Sequence, residues 1–435
     1  MKLKLLTVTS LLVVNIITVV AQTNTNTGTD AGNAGAYNSA FGYYAGNLIT
    51  GNNNSFVGYF AGQATTTGEY NSFFGANSGV NNVAGKDNVF SGFKSGYTNF
   101  GGSRNVFIGR ESGFLNSSGN NNVFTGYESG FSNSSGEGNV FSGYKAGYSN
   151  ISGKNNIFIG YESGLSNDIG NYNVFAGFRA GKNNKQGTYN VFVGQHSGFN
   201  NINGYENVFA GFHSGYTNLS GSGNVFLGSG SGNYNSTGSY NIFAGYRVGN
   251  ENTSGHENIY FGFKAGYHSK GSGNVFIGQH AGYWEMENNR LYIDSNPNTN
   301  IPNSVIDAST ATIPLIYGKF DTDQLGINTK LIPTGYTMAV KGKMIAEELK
   351  VQLYANWPDY VFDKKYNLPP LSEVEQHIKE KGHLKDIPSA EEVSQNGILL
   401  GEMNAKLLQK IEELTLYIIE QEARIKKLEA AMSSK

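Results

Sequence analysis

The chain has 435 residues, with 59 glycines, 8 prolines, no cysteine and a formal net charge of −2. So balanced a charge gives no electrostatic footprint for nucleic acid or an anionic membrane, and the lack of cysteine excludes disulfides, thiolate metal sites and a cysteine-anchored lipid. The 27 Phe and 27 Tyr exclude a disordered Gly/Asn tract, because disordered chains lack aromatic mass to bury.

Residues 1–21 read as a secretory signal peptide. Met1-Lys2-Leu3-Lys4 supplies two positive charges, an apolar run follows from Leu5 to Val20, and Val19-Val20-Ala21 offers a small-residue cleavage site before Gln22. The alternative is an uncleaved anchor, although the run is short and broken by polar residues. The expectation is a secreted or cell-surface protein with no membrane span once the signal is removed. Residues 22–36 read as a linker.

Residues 37–283 are a repeat. Counting the asparagine of each Asn-Val-Phe element as position zero, it falls at Asn38, Asn54, Asn71, Asn88, Asn105 and onward to Asn258 and Asn274, in steps of 17 except the first and last, which are 16. Glycine stands at positions four and eight of every unit and at position fourteen of most. Seventeen residues are too few for a β-α-β unit. They suit one rung of a β-solenoid, with β-branched and aromatic residues in the strand, glycine at the corners and a polar turn over positions ten to sixteen. The fold class expected is mainly β: a parallel β-roll of about fifteen 17-residue coils.

Side chains alternate along a strand. Position one is mostly Val or Ile (Val106, Val140, Ile157) and position three is small or aliphatic (Ile108, Ser142, Ala176), which suits the narrow inside of a coil. Position two would then point outward, yet it is Phe in thirteen of the last fourteen units, with Tyr260 the exception. Such a stripe in water exceeds what soluble monomers expose, so the expected cover is the same ladder on identical neighbours around a symmetry axis. The alternative is a coil wide enough to bury Phe, with Val facing out. Position six, often charged (Lys94, Glu128, Lys145, Arg179), reads as a solvated edge.

The stretches Asn105-Val106-Phe107-Ile108-Gly109, Asn156-Ile157-Phe158-Ile159-Gly160 and Asn190-Val191-Phe192-Val193-Gly194 resemble the head repeats of trimeric autotransporter adhesins. That family carries Asn/Ser-Val-Ala-Ile-Gly in each coil of a left-handed parallel β-roll, three chains side by side. The coil here is longer, Phe replaces the small residue, and the family's C-terminal membrane barrel has no counterpart. The resemblance implies a trimer and an adhesive role.

Residues 284–343 read as a β-rich neck, with strand signals at Asn289–Asp294, Pro314–Gly318, Leu325–Thr329 and Met338–Lys343. Residues 344–398 form a small α+β region. Capping boxes at Ser372–Glu375 and Ser389–Glu392 start two short helices, Gly382 and Gly397 stop them, and Trp357–Phe362 is expected to pack on them. Residues 399–435 are a helix whose Ile411, Ile418 and Ile425 fall seven apart, with Leu407, Leu414 and Leu428 between them, Gln421 taking one such place and Asn404 and Met432 extending the first row. This spacing predicts a coiled coil, and Ile alternating with Leu favours two strands, although polar Asn404 and Gln421 can alter the oligomer choice; the alternative is a lone helix packing back on its own domain. The whole C-terminal third resembles phage tail-fibre proteins and tail-fibre-like bacterial surface proteins with an intramolecular chaperone. That resemblance implies trimerisation. The family's self-cleaving Ser-Asp-x-Arg-Leu-Lys element cannot be located, so no catalytic residue is assigned.

His196, His213 and His280 share position six, and the first two would stand on adjacent rungs. Solvated histidines are the commoner occurrence there, so no metal is assigned. Gly228-Ser229-Gly230-Ser231-Gly232 lacks the Lys-Ser/Thr of a phosphate loop and reads as a solenoid corner. No cofactor and no enzymatic activity are expected. The function expected is that of a secreted or cell-surface fibrous protein in adhesion or extracellular structure. It would self-associate, as a trimer by preference and a dimer otherwise, and could meet a surface glycan or extracellular matrix. A carbohydrate-binding rod, with Tyr127, Tyr144 and Tyr161 as contacts, is one alternative reading. A self-processing fibre is another.

Overall fold

The computed structural model describes residues 25–28, 30–32, 35–295, 313–352 and 357–434. The signal peptide read over residues 1–21 lies outside them. The chain divides between Lys343 and Met344 into two compact units.

The first unit is a parallel β-solenoid of about 17 turns. Its short strands stack in register from β1 (Thr25–Thr27) and β2 (Ser39–Phe41) through β8 (Val140–Ser142), β9 (Ile157–Ile159) and β16 (Val275–Ile277) to β17 (Arg290–Ile293). At about 4.8 Å per rung the stack is about 75 Å long. It begins inside the stretch read as a linker and runs one rung into the stretch read as a neck. That last rung escapes the sequence period because Arg290 stands where Asn is expected and Tyr292 where Phe is expected. Even so, Tyr292 pairs with Phe276, and the Arg290 N–H donates to Asn274 Oδ1 at 2.7 Å. The chain then reverses: β18 (Ile316–Lys319) pairs antiparallel with β17, β19 (Gln324–Ile327) antiparallel with β18, and β20 (Met338–Val340) parallel with β19.

The facing of the strand is the reverse of the expectation. Phe at position two is inside: Phe124, Phe141 and Phe158 are 0% exposed and stack at 4.8 Å between ring centroids. Val140 and Ile159, at positions one and three, point out at 37% and 49% exposure. The physical reason is position eight. Gly147 has φ 60° and lies flat on the Phe141 ring, so that a Cβ there would come within 2.5 Å of it. Removing that side chain makes the coil wide enough for a phenyl ring, whose burial contributes about 2–3 kcal/mol. The Phe ladder therefore needs no neighbouring chain to cover it.

Two asparagine ladders flank the ring stack. Asn139 Oδ1 accepts from the Asn156 backbone N–H at 2.9 Å, and Asn139 Nδ2 crosses its own coil to the Gly153 carbonyl at 2.8 Å. At position eleven, Asn150 Nδ2 donates to Asn133 Oδ1 at 2.7 Å and to the Gly153 carbonyl at 3.1 Å. Position seven closes the core, with Ser129 Oγ donating to the Phe141 carbonyl at 3.1 Å. These amides satisfy the backbone groups of the corners, where no regular ladder exists.

The second unit holds helices α1 (Leu371–Lys381), α2 (Ala390–Asn396) and α3 (Leu400–Ser433). The capping box at Ser389 forms. The one expected at Ser372 does not: α1 starts at Leu371 behind the extended Pro370, which leaves Ser372 within the first turn. Gly382 ends α1 in the left-handed conformation, φ 75°. A 3-10 turn at Pro358–Phe362 packs on α3 instead of on the two short helices. Tyr360 donates to Gln409 at 3.0 Å, Tyr366 to Glu413, and Tyr417 to the Pro369 carbonyl. These contacts use the polar side of α3. Its row of Leu407, Ile411, Leu414, Ile418, Ile425 and Leu428 stays open, at 44–64% exposure. Among the described residues no helix is long and apolar enough to cross a membrane.

Candidate binding surface

After the strand, glycine at position four turns the chain and position five presents an aromatic ring in most coils. Position six then adopts left-handed backbone although it is glycine in one coil alone, at Gly230: φ is 52° at Lys145, 51° at Glu162 and 55° at Arg179. That conformation is uncommon for such residues. It sets the charged side chain between two columns of rings, one at position five and one at position nine.

Tyr127, Tyr144, Tyr161 and Phe178 form the first column, stacked at 5.3, 4.8 and 5.2 Å. Tyr97, Phe114, Phe131 and Tyr148 form the second, at 5.1, 5.0 and 5.0 Å. Lys145 Nζ lies 5.4 Å from the Tyr144 ring centre and 5.3 Å from that of Tyr148, so one cation meets both columns. Arg110 takes a ring's place at position five, 5.6 Å from both Phe93 and Tyr127. Ion pairs run along the groove: Lys145 to Glu128 at 3.3 Å, and Arg179 and Lys182 each to Glu162 at 2.8 Å.

Position six is thus not the solvated edge expected. The side chains of Glu128 and Glu162 are 13% exposed, covered by the cations that pair with them and by the neighbouring side chains of the groove. Burial works to raise the Glu162 carboxyl, but hydrogen bonds from Lys182 and Arg179 outweigh it and hold the group below its ordinary value. Burial likewise works to lower Lys145, and its bond to Glu128 reverses that. The hydrogen bond with Glu128 raises the Tyr127 hydroxyl.

The structure brings His196 and His213 together, with Nδ1 and Nε2 3.2 Å apart. Burial lowers both, and the charges of His213, Arg179 and Lys182 add to the effect on His196. His280 stands on a later coil, edge-on to Phe263. Among the described residues no group of three or more His, Cys, Asp or Glu could hold a metal ion. The Gly228–Gly232 run forms the corner after Val225–Leu227, with three positive φ values.

Tyr127, Tyr144 and Tyr161 do share one column. Sequence reading missed the second column at position nine and the cation between the two. Its signal was an aromatic one residue before and three residues after the charge. The rings stack face to face along the rod, so an incoming molecule meets ring edges, hydroxyls and the ionic groove, and not open ring faces. No protein-family model matches the chain, and no curated protein or solved structure matches it. The resemblances to adhesin heads and tail fibres rest on the motifs alone.

Proposed function

We propose that the chain is an exported fibrous repeat protein that self-associates through its C-terminal helix and acts in adhesion or as an extracellular structural element. The observation that carries this reading is the apolar row of α3, open along four heptads while the polar side of the same helix is engaged. Burying that row against identical helices removes it from water at about 25 cal/mol per Å². The motif resemblance favours three chains, and the Ile/Leu order suits two. Export rests on the charged and apolar pattern of residues 1–21. A stack of near-identical rungs is stiff and repeats one surface along its length, which suits a spacer or an adhesive rod.

The test is labelling of intact producing cells with a membrane-impermeant amine reagent, repeated after deletion of residues 1–21. The full chain should be labelled at the surface or found in the medium, and the deletion variant should stay inside. A full chain found only inside would sink the reading.

A second reading is supported by the Tyr127–Tyr144–Tyr161 column beside its ionic groove: a rod that binds extracellular carbohydrate along its length. Glycan-array binding that survives Tyr127→Ala, Tyr144→Ala and Tyr161→Ala together would end it.

A further inference from the structure

The face carrying positions one and three runs the length of the solenoid without an evident use. From the coil of Asn38 to that of Asn274, neither position holds a charged residue. Exposed side chains such as Val123 (39%), Ile159 (49%) and Val193 (45%) stand on it in straight columns, because each strand pairs with the next in register. The first three of these coils place Ser at position one but Phe41, Val57 and Phe74 at position three. A lone exposed valine is ordinary. An uncharged stripe about 70 Å long is not, since soluble monomers rarely expose apolar patches above a few hundred Å².

We propose that this strand face is a homotypic contact, packed on the same face of a second copy of the chain lying parallel to it. The inference rests on the self-association read from α3, but it uses a different surface. Three observations select the occupant. Only a partner with the same rung spacing and the same length covers every rung. The area is right: three residues across and fifteen rungs along give about 700 Å² per copy, close to the roughly 800 Å² per partner of a standard interface. The lack of charge fits as well. Contacts around a symmetry axis set like residues beside like, which charges oppose and uncharged columns accept.

The chain has no cysteine, so single-cysteine variants of the full chain report cleanly. Val140→Cys lies on the strand face and Ser135→Cys in the turn at position thirteen. Both sites are exposed, so neither change disturbs the core. With a short bis-maleimide cross-linker, Val140→Cys should give linked chains in several-fold higher yield than Ser135→Cys. Equal yields would overturn the proposal. Ile411→Glu with Ile418→Glu separates the two claims. If Val140→Cys fails to cross-link while wild type is oligomeric and the helix variant is monomeric, association through α3 stands and the strand-face contact falls.

Discussion

The hydroxyl of Tyr260 lies 3.0 Å from Ser269 Oγ, and both residues are 0% exposed. Tyr260 takes the place of Phe in its coil and Ser269 the place of the position-eleven Asn, so the shorter residue opens the room that the extra hydroxyl fills. Tyr260→Phe should cost about 1–2 kcal/mol, by leaving Ser269 without its partner. Ser269→Asn alone should cost about 1–3 kcal/mol by overpacking. The double variant restores the pattern of the coils from Asn71 to Asn241 and should recover most of both losses. Hydrogen-exchange protection of the amides around Ile259–Phe261 measures this, and simple additivity of the two losses would contradict it.

Gly147→Ala should be among the most damaging single changes in the solenoid. It forces a Cβ to within 2.5 Å of the Phe141 ring at a residue held at φ 60°. Overpacking and backbone strain together should cost about 3 kcal/mol or more. Loss of protection in that coil and its two neighbours is the expected readout.

Asn139→Ala removes the acceptor of the Asn156 N–H and a donor to the Gly153 carbonyl. Orphaning buried groups should cost about 1–3 kcal/mol. Asn139→Ser should cost less if its hydroxyl can serve the Asn156 N–H. Urea unfolding midpoints of the two variants should rank accordingly.

These three sites also mark where sequence reading succeeds and where it stops. The period, its corner glycines and the three strands that follow the last rung were all legible, because each depends on residues close in the chain. Which way Phe141 faces was not. Alternation over a three-residue strand distinguishes two faces without saying which is inside. What decides it is the missing side chain of Gly147 across the coil. The last rung was hidden for a related reason, since Arg290 substitutes for the signature Asn while its backbone keeps the bond to Asn274. The helix row of Ile411 and Ile418 was legible, but that the polar side of α3 takes the intramolecular contacts was not.

Acid should weaken the solenoid in two stages. His196 and His213 titrate below their ordinary 6.5 because burial disfavours the imidazolium. The unfolded chain therefore binds their protons first, so their contribution is intact above about pH 6.5 and is lost as pH falls through their lowered values. Glu162, held below its ordinary 4.5 by Lys182 and Arg179, contributes fully above that value and loses its contribution at still lower pH. A melting-temperature profile should show both stages. His196→Gln with His213→Gln should flatten the upper one, and Glu162→Gln the lower.

Mass in solution tests the self-association most directly. Light scattering on the chain without residues 1–21 should return two or more times the chain mass, and Ile411→Glu with Ile418→Glu should reduce it. A single-chain mass across micromolar concentrations would contradict the account.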